Sequence, residues 1–586
     1  MTIRTFFDAA VAQTPDAPAQ RFFQDGEWVT RRYDALQARV ERAAAILQDL
    51  GIEPGQHHVA LMLENGPEWQ EIYLALACAG VAVVPLDPKL REQEVSHILA
   101  DSESVAVFAG VKTRDVVLQA SAALPRLRAC VWVGDREEEY TPSGKPEERS
   151  YDSLMANMPP SSIQTAQTWL LRHVPTPNTI ASIIYTSGTT GKPKGAMLTH
   201  GNFTSNVAAT IERVGFYATD NFLNVLPLFH SFSFTANFML PLGVKGCCSF
   251  VRSVRTIAED MAILQPTVLL AVPLMAEKLY ARIAEKLRKN LVARGLLGMG
   301  LKRVVGKKVI ESFGGRLRLL GIGGAQTALA VLKGFQDVGI PVLEGYGLTE
   351  CAPGVAYPRL ESYVPGTVGP ILNNMQFKLA DTDATGAGEL CVKGPNVMKG
   401  YYKNPEATAE VFDGDGYFHT GDLVRIDSQN NVTICGRKKA LIVNREGKNI
   451  YPEEIEQVIE RCPFVRDVVV LGYRIGDESG ERVGAILVPD TDAVTAHNKG
   501  MPLTGTDTET LVRETVLECC RRLLADYKMP RKLLVRHTPL ERTSALKVRR
   551  VVYAGSLDES VVTPSACTPP AEFDRSPVDS PGYPTP

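Results

Sequence analysis

The sequence predicts an α/β protein, because helical and strand patterns alternate along much of the chain. Short apolar runs at residues 59–63 and 81–85 predict strands, and residues 67–79 between them predict a helix. Apolar residues at helical spacing predict a further helix over residues 34–50, which ends at Gly51. This alternation is typical of a parallel sheet covered by helices on both faces.

Length and composition indicate a multidomain globular protein. A chain of 586 residues exceeds what one hydrophobic core supports, so we expect two or more domains. The contents of 45% hydrophobic and 22% charged residues are ordinary for a soluble globular chain. A net charge of −3 argues against a dedicated nucleic-acid binder, so no nucleic-acid partner is expected.

The cysteines and the N-terminus favour a cytoplasmic protein. The 11 cysteines form no C-x-x-C motif, which disfavours a zinc site, and their scattered placement disfavours a disulfide framework. A reducing compartment fits best. The first residues lack the apolar core of a signal peptide, and no run approaches the roughly 20 apolar residues of a membrane span.

Residues 185–195, Tyr-Thr-Ser-Gly-Thr-Thr-Gly-Lys-Pro-Lys-Gly, carry the strongest chemical signal. Apolar residues flank the run on both sides, which predicts a loop leaving a strand. Glycines let backbone N–H groups approach an anion, while hydroxyls and lysines add donors and positive charge, so the loop suits phosphate. The P-loop of kinases is excluded, because position 186 is threonine rather than glycine and Lys192 is followed by Pro193.

Six further motifs follow in order along the chain. They lie at residues 323–325, 344–350, 417–422, 436–439, 447–456 and 542–550. Together with the loop at 185–195 they resemble the adenylate-forming enzymes, which include acyl-CoA synthetases, firefly luciferase and peptide-synthetase adenylation domains. The resemblance extends from about residue 5 to about residue 553 and is strongest to bacterial long-chain fatty-acid–CoA ligases.

The resemblance implies a domain organisation. It places a large N-terminal domain of α/β sheets covered by helices at residues 1–436, with the ATP and acyl sites. A small mobile C-terminal α+β lid domain follows at residues 437–553. Residues 554–586 are rich in proline and poor in large apolar residues, so we predict a disordered tail.

The resemblance also implies how ATP and Mg²⁺ bind. Tyr346 would stack on adenine, Asp422 and Arg437 would bind the ribose, Thr349 would contact the α-phosphate and Glu350 would bind Mg²⁺. The residues expected to hold the β,γ-phosphates are Thr186, Ser187, Gly188, Thr189, Thr190, Gly191 and Lys194. The residues expected to allow close backbone approach to the nucleotide are Gly323, Gly324, Ala325, Gly345 and Gly347.

The lid domain would supply the residues that enter or leave the active site between the two half-reactions. Lys547 matches the lysine that bridges the substrate carboxylate and the α-phosphate, although Leu546 stands where the family usually has glycine. Lys439 matches the hinge, and a plain exposed turn is the alternative there. Gly447 and Lys448 match the loop that lines the path of coenzyme A.

The acid substrate is indicated less directly. His230, in the motif at residues 227–234, is expected to face the acyl carboxylate or else to be a core histidine. Residues 231–238 contain no acidic side chain, which disfavours an amino-acid substrate. Phe232, Phe234, Phe238 and Met239 would line an apolar pocket or belong to the core.

The resemblance favours a medium- to long-chain fatty acid, with CoA as the acceptor. Transfer to an acyl carrier protein and ligation of aromatic acids are the alternatives. A non-catalytic acyl- or nucleotide-binding protein is a third hypothesis, motivated by Leu546 and the unusual tail.

Residues 282–308 interleave nine basic residues with leucines and a methionine. One interpretation is a basic amphipathic patch that contacts an anionic membrane peripherally, at its inner face. The other, and more common, is a solvated helical face.

Overall fold

The computed structural model describes two compact units. The first comprises Met1–Lys439 with Glu541–Arg549, and the second comprises Ala440–Leu540 with the chain from Arg550 onward. The residues described are 1–122, 124–134, 146–186, 193–446, 448–475, 480–542 and 548–558.

Within those residues the chain forms strands and helices in alternation. The strands are β1 (Pro18–Gln24), β2 (Glu27–Arg32), β3 (His58–Met62), β4 (Ala82–Pro85), β5 (Ser104–Gly110), β6 (Ala129–Val133), β7 (Glu147–Ser150), β8 (Ile180–Thr186), β9 (Lys194–Thr199), β10 (Asn221–Asn224), β11 (Cys247–Phe250), β12 (Val268–Ala271), β13 (Leu319–Ile322), β14 (Val342–Glu344), β15 (Tyr346–Gly347), β16 (Gly354–Ala356), β17 (Gln376–Ala380), β18 (Gly388–Lys393), β19 (Phe418–Ile426), β20 (Val432–Arg437), β21 (Ile442–Val443), β22 (Asn449–Ile450), β23 (Val465–Tyr473), β24 (Arg482–Pro489) and β25 (Lys532–Val535). The helices are α1 (Ile3–Gln13), α2 (Tyr33–Asp49), α3 (Pro67–Ala79), α4 (Glu92–Asp101), α5 (Arg114–Ser121), α6 (Tyr151–Asn157), α7 (Pro160–Arg172), α8 (His200–Val214), α9 (Ser231–Ser233), α10 (Leu240–Val244), α11 (Ile257–Leu264), α12 (Pro273–Lys289), α13 (Leu291–Gly298), α14 (Lys302–Glu311), α15 (Leu329–Asp337), α16 (Pro405–Ala409), α17 (Pro452–Ile459), α18 (Thr491–His497) and α19 (Gly505–Leu523).

Two seven-stranded sheets form the body of the first unit. Their strand orders are β7-β6-β5-β3-β4-β8-β9 and β14-β13-β12-β10-β11-β1-β2. All neighbours are parallel except β8 with β9 and β1 with β2, which are antiparallel. The predicted α/β class is therefore confirmed, with an antiparallel pair at one edge of each sheet.

Helices cover the faces of these sheets, so both faces of the strands are buried and their side chains are apolar. Helices α1, α2, α3 and α8 belong to one large core with both sheets, while α4 and α5 cover the other face of the first sheet. Helix α3 is almost wholly buried, begins with Pro67 and ends at Gly80, whose φ of 75° is the left-handed conformation that favours glycine. The sequence predicts this helix with the same bounds.

A four-stranded antiparallel sheet, β17-β18-β19-β20, completes the first unit. A two-stranded pair, β15 and β16, lies next to it in sequence. These antiparallel strands bring polar side chains from β19 and β20 opposite one another, which matters for the site described below.

The second unit is smaller and has a core of its own. Strands β23, β24 and β25 form a mixed sheet, and α17 and α19 pack against it. Strands β21 and β22 form a separate antiparallel pair. The chain stays packed past the predicted start of the tail, since Leu557 is only 2% exposed. The tail from residue 559 onward lies outside the described residues.

Among the described residues, no helix is both long and apolar enough to cross a bilayer.

Candidate functional site

The site is built at the carboxyl ends of two parallel strands, β13 and β14. Gly323 follows β13, and Gly345 follows β14 and donates its N–H to the carbonyl of Ile322 at 2.9 Å. A β-carbon on Gly323 would lie 3.1 Å from the ring of Phe232, and one on Gly345 would lie 2.4 Å from the ring of Tyr357. A side chain at Gly345 would therefore displace Tyr357, while one at Gly323 would be a tight fit, and the two glycines leave bare backbone at this edge of the sheet.

Two more predicted glycines are constrained in different ways. Gly324 has a φ of 90°, a conformation that strains any residue with a side chain. A β-carbon on Gly347 would lie 2.2 Å from the carbonyl oxygen of Pro353, too close for any side chain. Ala325, beside Gly324, is exposed.

The predicted phosphate loop connects β8 and β9. Thr186, the last residue of β8, pairs with Lys194, the first residue of β9, so the base of the loop is closed. Residues 187–192, which include Ser187, Gly188, Thr189, Thr190 and Gly191, lie outside the described residues. The ammonium of Lys194 lies 5.4 Å from the ring centroid of Tyr401, a cation–π contact.

Tyr401 connects Lys194 to the predicted metal carboxylate. Its hydroxyl donates a hydrogen bond to Oε1 of Glu350 at 3.0 Å. Burial and the neighbouring Glu350 raise the pKa of Tyr401 well above its usual value, so the phenol keeps its proton and stays a donor. The backbone carbonyl of Glu350 also accepts from the N–H of Met398 at 2.8 Å, which fixes the turn that carries it.

Thr349 lies next to the segment expected to face the acid. The hydroxyls of Thr349 and Ser231 are 2.9 Å apart and hydrogen-bonded. The neighbouring His230 is half-buried, and its Nδ1 accepts from the N–H of Phe232 at 3.3 Å. The structure therefore brings the predicted α-phosphate residue Thr349 next to the predicted acid-facing segment at residues 227–234, which is far from it in the sequence.

A third group lies on the antiparallel sheet. Asp422 on β19 pairs with Arg437 on β20, and the Arg437 Nε lies 2.8 Å from Asp422 Oδ1. The other carboxylate oxygen of Asp422 accepts from the hydroxyl of Tyr346 at 2.5 Å. Burial and the Asp422 charge raise the pKa of Tyr346 well above its usual value, so this phenol is also a fixed donor.

An apolar cavity of about 30 Å³ lies behind the strand ends. Phe232, Ala236 and Tyr357 contribute to its wall, together with Gly345. Of the aromatic cluster predicted from sequence, Phe232 faces this cavity. Phe234, Phe238 and Met239 are buried in the core instead, where Phe234 and Phe238 pack on Trp69 and Tyr73.

The remaining predicted residues belong to the lid predicted at residues 437–553. Lys439 is exposed on the turn Lys438–Ala440, at the end of the first unit. Lys448 is exposed, and its ammonium is 2.6 Å from Glu446 and 4.9 Å from the ring centroid of Tyr527. Gly447, and Leu546 with Lys547 in the segment 543–547, lie outside the described residues.

Sequence reasoning missed Tyr401, Ser231 and Glu344. Tyr401 gives no local signal, because its partner Glu350 is 51 residues away. Glu344 does give one, since it is an acid at the end of an apolar strand, directly before the motif glycine. It is buried, accepts from the N–H of Thr327 at 2.7 Å, and burial raises its pKa to about 7.

Comparison with known proteins supplies relatives over most of the chain. A long-chain-fatty-acid–CoA ligase of Mycobacterium bovis, FadD15, is 30% identical over 511 residues, covering 82% of this chain and 80% of its own. Human long-chain-fatty-acid–CoA ligase 1 is 29% identical over 579 residues, covering 92% of this chain and 80% of its own.

The fold has counterparts among solved structures. ATP-bound MatB from Rhodopseudomonas palustris superposes with a TM-score of 0.71 at 27% identity, covering 94% of this chain and 98% of its own. The o-succinylbenzoate CoA synthetase MenE of Bacillus subtilis, solved with its acyl-adenylate, gives a TM-score of 0.71 at 23% identity, with 93% and 96% covered. This second likeness bears on the fold alone.

The sequence profile of the AMP-binding enzymes matches residues 7–402. The resemblance to adenylate-forming enzymes, first seen in seven motifs, is thus confirmed over more than half of the chain. The chain belongs to the family of AMP-binding enzymes.

Proposed function

We propose that this protein is an ATP-dependent fatty acid–CoA ligase that works through an acyl-AMP intermediate. In the first half-reaction a carboxylate oxygen attacks the α-phosphorus of ATP and pyrophosphate leaves. In the second, the thiol of CoA attacks the acyl carbonyl and AMP leaves. The observation that carries the proposal is that Gly345, which precedes the predicted adenine residue Tyr346, also lines the apolar cavity.

The nucleotide would bind along the predicted motifs. The Tyr346 ring offers a π-face to adenine, and its hydroxyl holds the Asp422 carboxylate in place for the ribose hydroxyls. Arg437 fixes the other oxygen of that carboxylate. Lys194 at the base of the loop would balance phosphate charge, as in-line attack between two anions requires.

The donor set near the predicted α-phosphate position suits Mg²⁺. Glu350 supplies a carboxylate and the adjacent Thr349 a hydroxyl, and Mg²⁺ typically binds one or two carboxylates plus phosphate oxygens. Mg²⁺ bound there would neutralise charge on the phosphates. Tyr401 would orient the Glu350 carboxylate through its fixed O–H donor.

The acid would lie with its carboxylate towards Thr349 and His230 and the start of its chain at the apolar cavity, which at about 30 Å³ must widen to admit the chain. Lys547 would bridge the carboxylate and the α-phosphate during attack, because a point charge on a flexible stem can enter and leave. Rotation of the predicted lid, residues 437–553, about Lys439 would then withdraw Lys547 and bring up the loop at Gly447 and Lys448, and CoA would pass along it.

A fatty acid is favoured over other acids by two observations. The cavity wall consists almost entirely of apolar side chains and strand backbone, and relatives over four fifths of the chain are named long-chain-fatty-acid–CoA ligases. The aromatic rings of Phe216, Phe232 and Tyr357 in that wall also suit an aromatic acid, which is the second candidate.

The test uses the full chain with ATP, Mg²⁺, a panel of medium- to long-chain and aromatic acids, and either CoA or a holo acyl carrier protein. We expect AMP and acyl-CoA with the fatty acids. A strong preference for the carrier protein would overturn the choice of acceptor. Absence of both AMP and thioester with every acid would overturn the proposal itself.

A further inference from the structure

Residues 273–311 form three consecutive helices that no part of the proposed reaction uses. Helices α12, α13 and α14 follow one another here, and we call this segment the basic hairpin. Helices α12 and α14 pack against the rest of the first unit. The ring centroids of Tyr280 on α12 and Phe335 are 5.4 Å apart, and a β-carbon on Gly306 of α14 would lie 2.5 Å from the Gly339 carbonyl oxygen. Helix α13, which we call the tip of the basic hairpin, differs from α12 and α14 because none of its residues is buried.

The charge of the basic hairpin is strongly one-sided. Its 39 residues carry ten lysines and arginines against three glutamates, in a chain whose net charge is −3. Only two ion pairs of these basic groups occur among the described residues, Lys289 with Glu285 and Lys302 with Asp337. Most of the positive charge is therefore available to an anionic partner.

Exposed apolar side chains lie among these charges. Leu291 is 77% exposed, Met299 68% and Val292 67%, and Leu301 and Val304 are exposed as well. These five belong to a set of 21 exposed large hydrophobic side chains across the described residues, and they fall within 14 consecutive positions. Exposed apolar groups that cluster in this way mark a contact surface rather than random exposure.

We propose that the basic hairpin docks on a lipid bilayer that contains anionic phospholipid. An amphipathic helix lies in the bilayer interface when apolar side chains can enter the acyl region and basic side chains can meet the headgroups. A nucleic acid or an acidic protein would use the charges but would leave Leu291 and Met299 in water. The combination of both features favours the membrane.

The position of the basic hairpin agrees with a lipid-derived substrate. Helix α12 begins two residues after β12, whose Leu270 lines the apolar cavity. A bilayer at the tip would bring the protein to the phase in which fatty acids concentrate. Docking itself does not depend on the reaction, so its test is independent of the proposed function.

The experiment is co-sedimentation of the full chain with phosphatidylcholine vesicles, with and without phosphatidylglycerol. We expect binding to the anionic vesicles that weakens with added salt. Replacing Leu291 and Met299 by serine should weaken it about tenfold or more, because burial of apolar surface is lost. Replacing Arg288, Arg294 and Arg303 by glutamine should weaken it at least tenfold, since each basic group near such a surface contributes roughly fivefold.

The matched control is Leu171→Ser with Arg172→Gln, on the surface end of α7. Leu171 is 71% exposed, close to the value of Leu291, and lies outside the basic hairpin. This control should bind like the wild type. Unchanged binding by the serine variant, equal binding to neutral vesicles, or no vesicle binding by the wild type would overturn the proposal. Tight binding to single-stranded RNA that survives the serine changes would point to a polyanion partner instead and overturn it too.

Discussion

The hydroxyl of Tyr346 donates a hydrogen bond of 2.5 Å to the carboxylate of Asp422, which lies 76 residues further along the chain. The ring proposed for adenine and the carboxylate proposed for the ribose are thus held together before any nucleotide binds. Arg437 closes the arrangement from the other carboxylate oxygen. For the proposed nucleotide, the pair would form a preorganised nucleoside site, because these side chains are already ordered in the folded protein and lose little further freedom on binding.

Tyr346→Phe should keep the π-face and lose the hold on Asp422. A hydrogen bond to a charged group contributes about 1.5 to 3 kcal/mol, so we expect the KM for ATP to rise roughly ten- to hundredfold. Tyr346→Leu should be worse, because it also removes stacking. Tyr363→Phe, which removes a buried hydroxyl with no partner among the described residues, should leave the KM unchanged. Equal effects of the Phe and Leu variants at Tyr346 would contradict the stacking role.

Glu350→Gln should abolish most adenylation, because an amide keeps the shape of the carboxylate but removes its charge. We expect pyrophosphate exchange to fall by two orders of magnitude or more, since groups aimed at the reacting phosphate typically contribute about 3 to 4 kcal/mol. Tyr401→Phe should be milder and should raise the Mg²⁺ concentration needed for half-maximal rate. If the Mg²⁺ dependence of Tyr401→Phe matched that of the wild type, Tyr401 would have no part in orienting Glu350.

Lys547→Ala and Gly447→Leu should separate the two half-reactions. The first variant should lose acyl-AMP formation by several orders of magnitude and still convert supplied acyl-AMP to acyl-CoA. The second should release pyrophosphate almost normally in one turnover and form thioester slowly, because a side chain would narrow the proposed CoA path. Equal loss of both half-reactions in both folded variants would refute the two-orientation mechanism.

Ala236→Leu should shift selectivity towards shorter acids, because Ala236 is part of the wall of a cavity of only about 30 Å³. Overpacking costs about 1 to 3 kcal/mol of stability, so the measurement must be insensitive to a general loss of active protein. The ratio of kcat/KM for a medium-chain acid to that for a long-chain acid does so, and we expect it to rise at least tenfold. An unchanged ratio would place the acyl chain elsewhere.

His200 should make the protein less stable in acid. It is fully buried, its Nδ1 accepts from the N–H of Ile3, and burial lowers its pKa to about 4. The unfolded chain binds the proton near pH 6.5 and the folded chain only near pH 4, so stability falls as the pH drops between these values, by roughly 2 to 3 kcal/mol. His200→Asn keeps an acceptor near the Nδ1 position and should flatten this slope in urea unfolding. The same slope in both proteins would exclude His200 as its cause.

Local signals explain which parts of the fold the sequence predicts. Helix α3 is predicted with its observed bounds, because Pro67 and Gly80 mark its ends and apolar residues fill it. The π-helical turn Phe234–Met239 is not predicted, because its backbone depends on packing against Trp69 and Tyr73 from α3. Phe232 and Phe234 look alike in sequence, yet one faces the cavity and the other the core.

The same distinction applies to the candidate site. Motifs mark Gly323, Gly345 and Glu350, because a backbone or charge requirement fixes those residue types locally. The pairs of Tyr401 with Glu350 and of Ser231 with Thr349 join distant segments, so no window of sequence contains them. The hydrogen-bond partners that orient the site are therefore the part that requires the fold.

Strand β12 and the basic hairpin are consecutive in the chain, and Leu270 and Leu291 are separated by little more than one helix. A single contiguous segment, residues 268–311, thus contains both part of the cavity wall and the proposed lipid contact. This segment begins with the buried strand β12 and ends with the last residue of α14. If a chimera takes this segment from another ligase, we expect both its acyl chain-length preference and its lipid-binding preference to change to those of the donor protein.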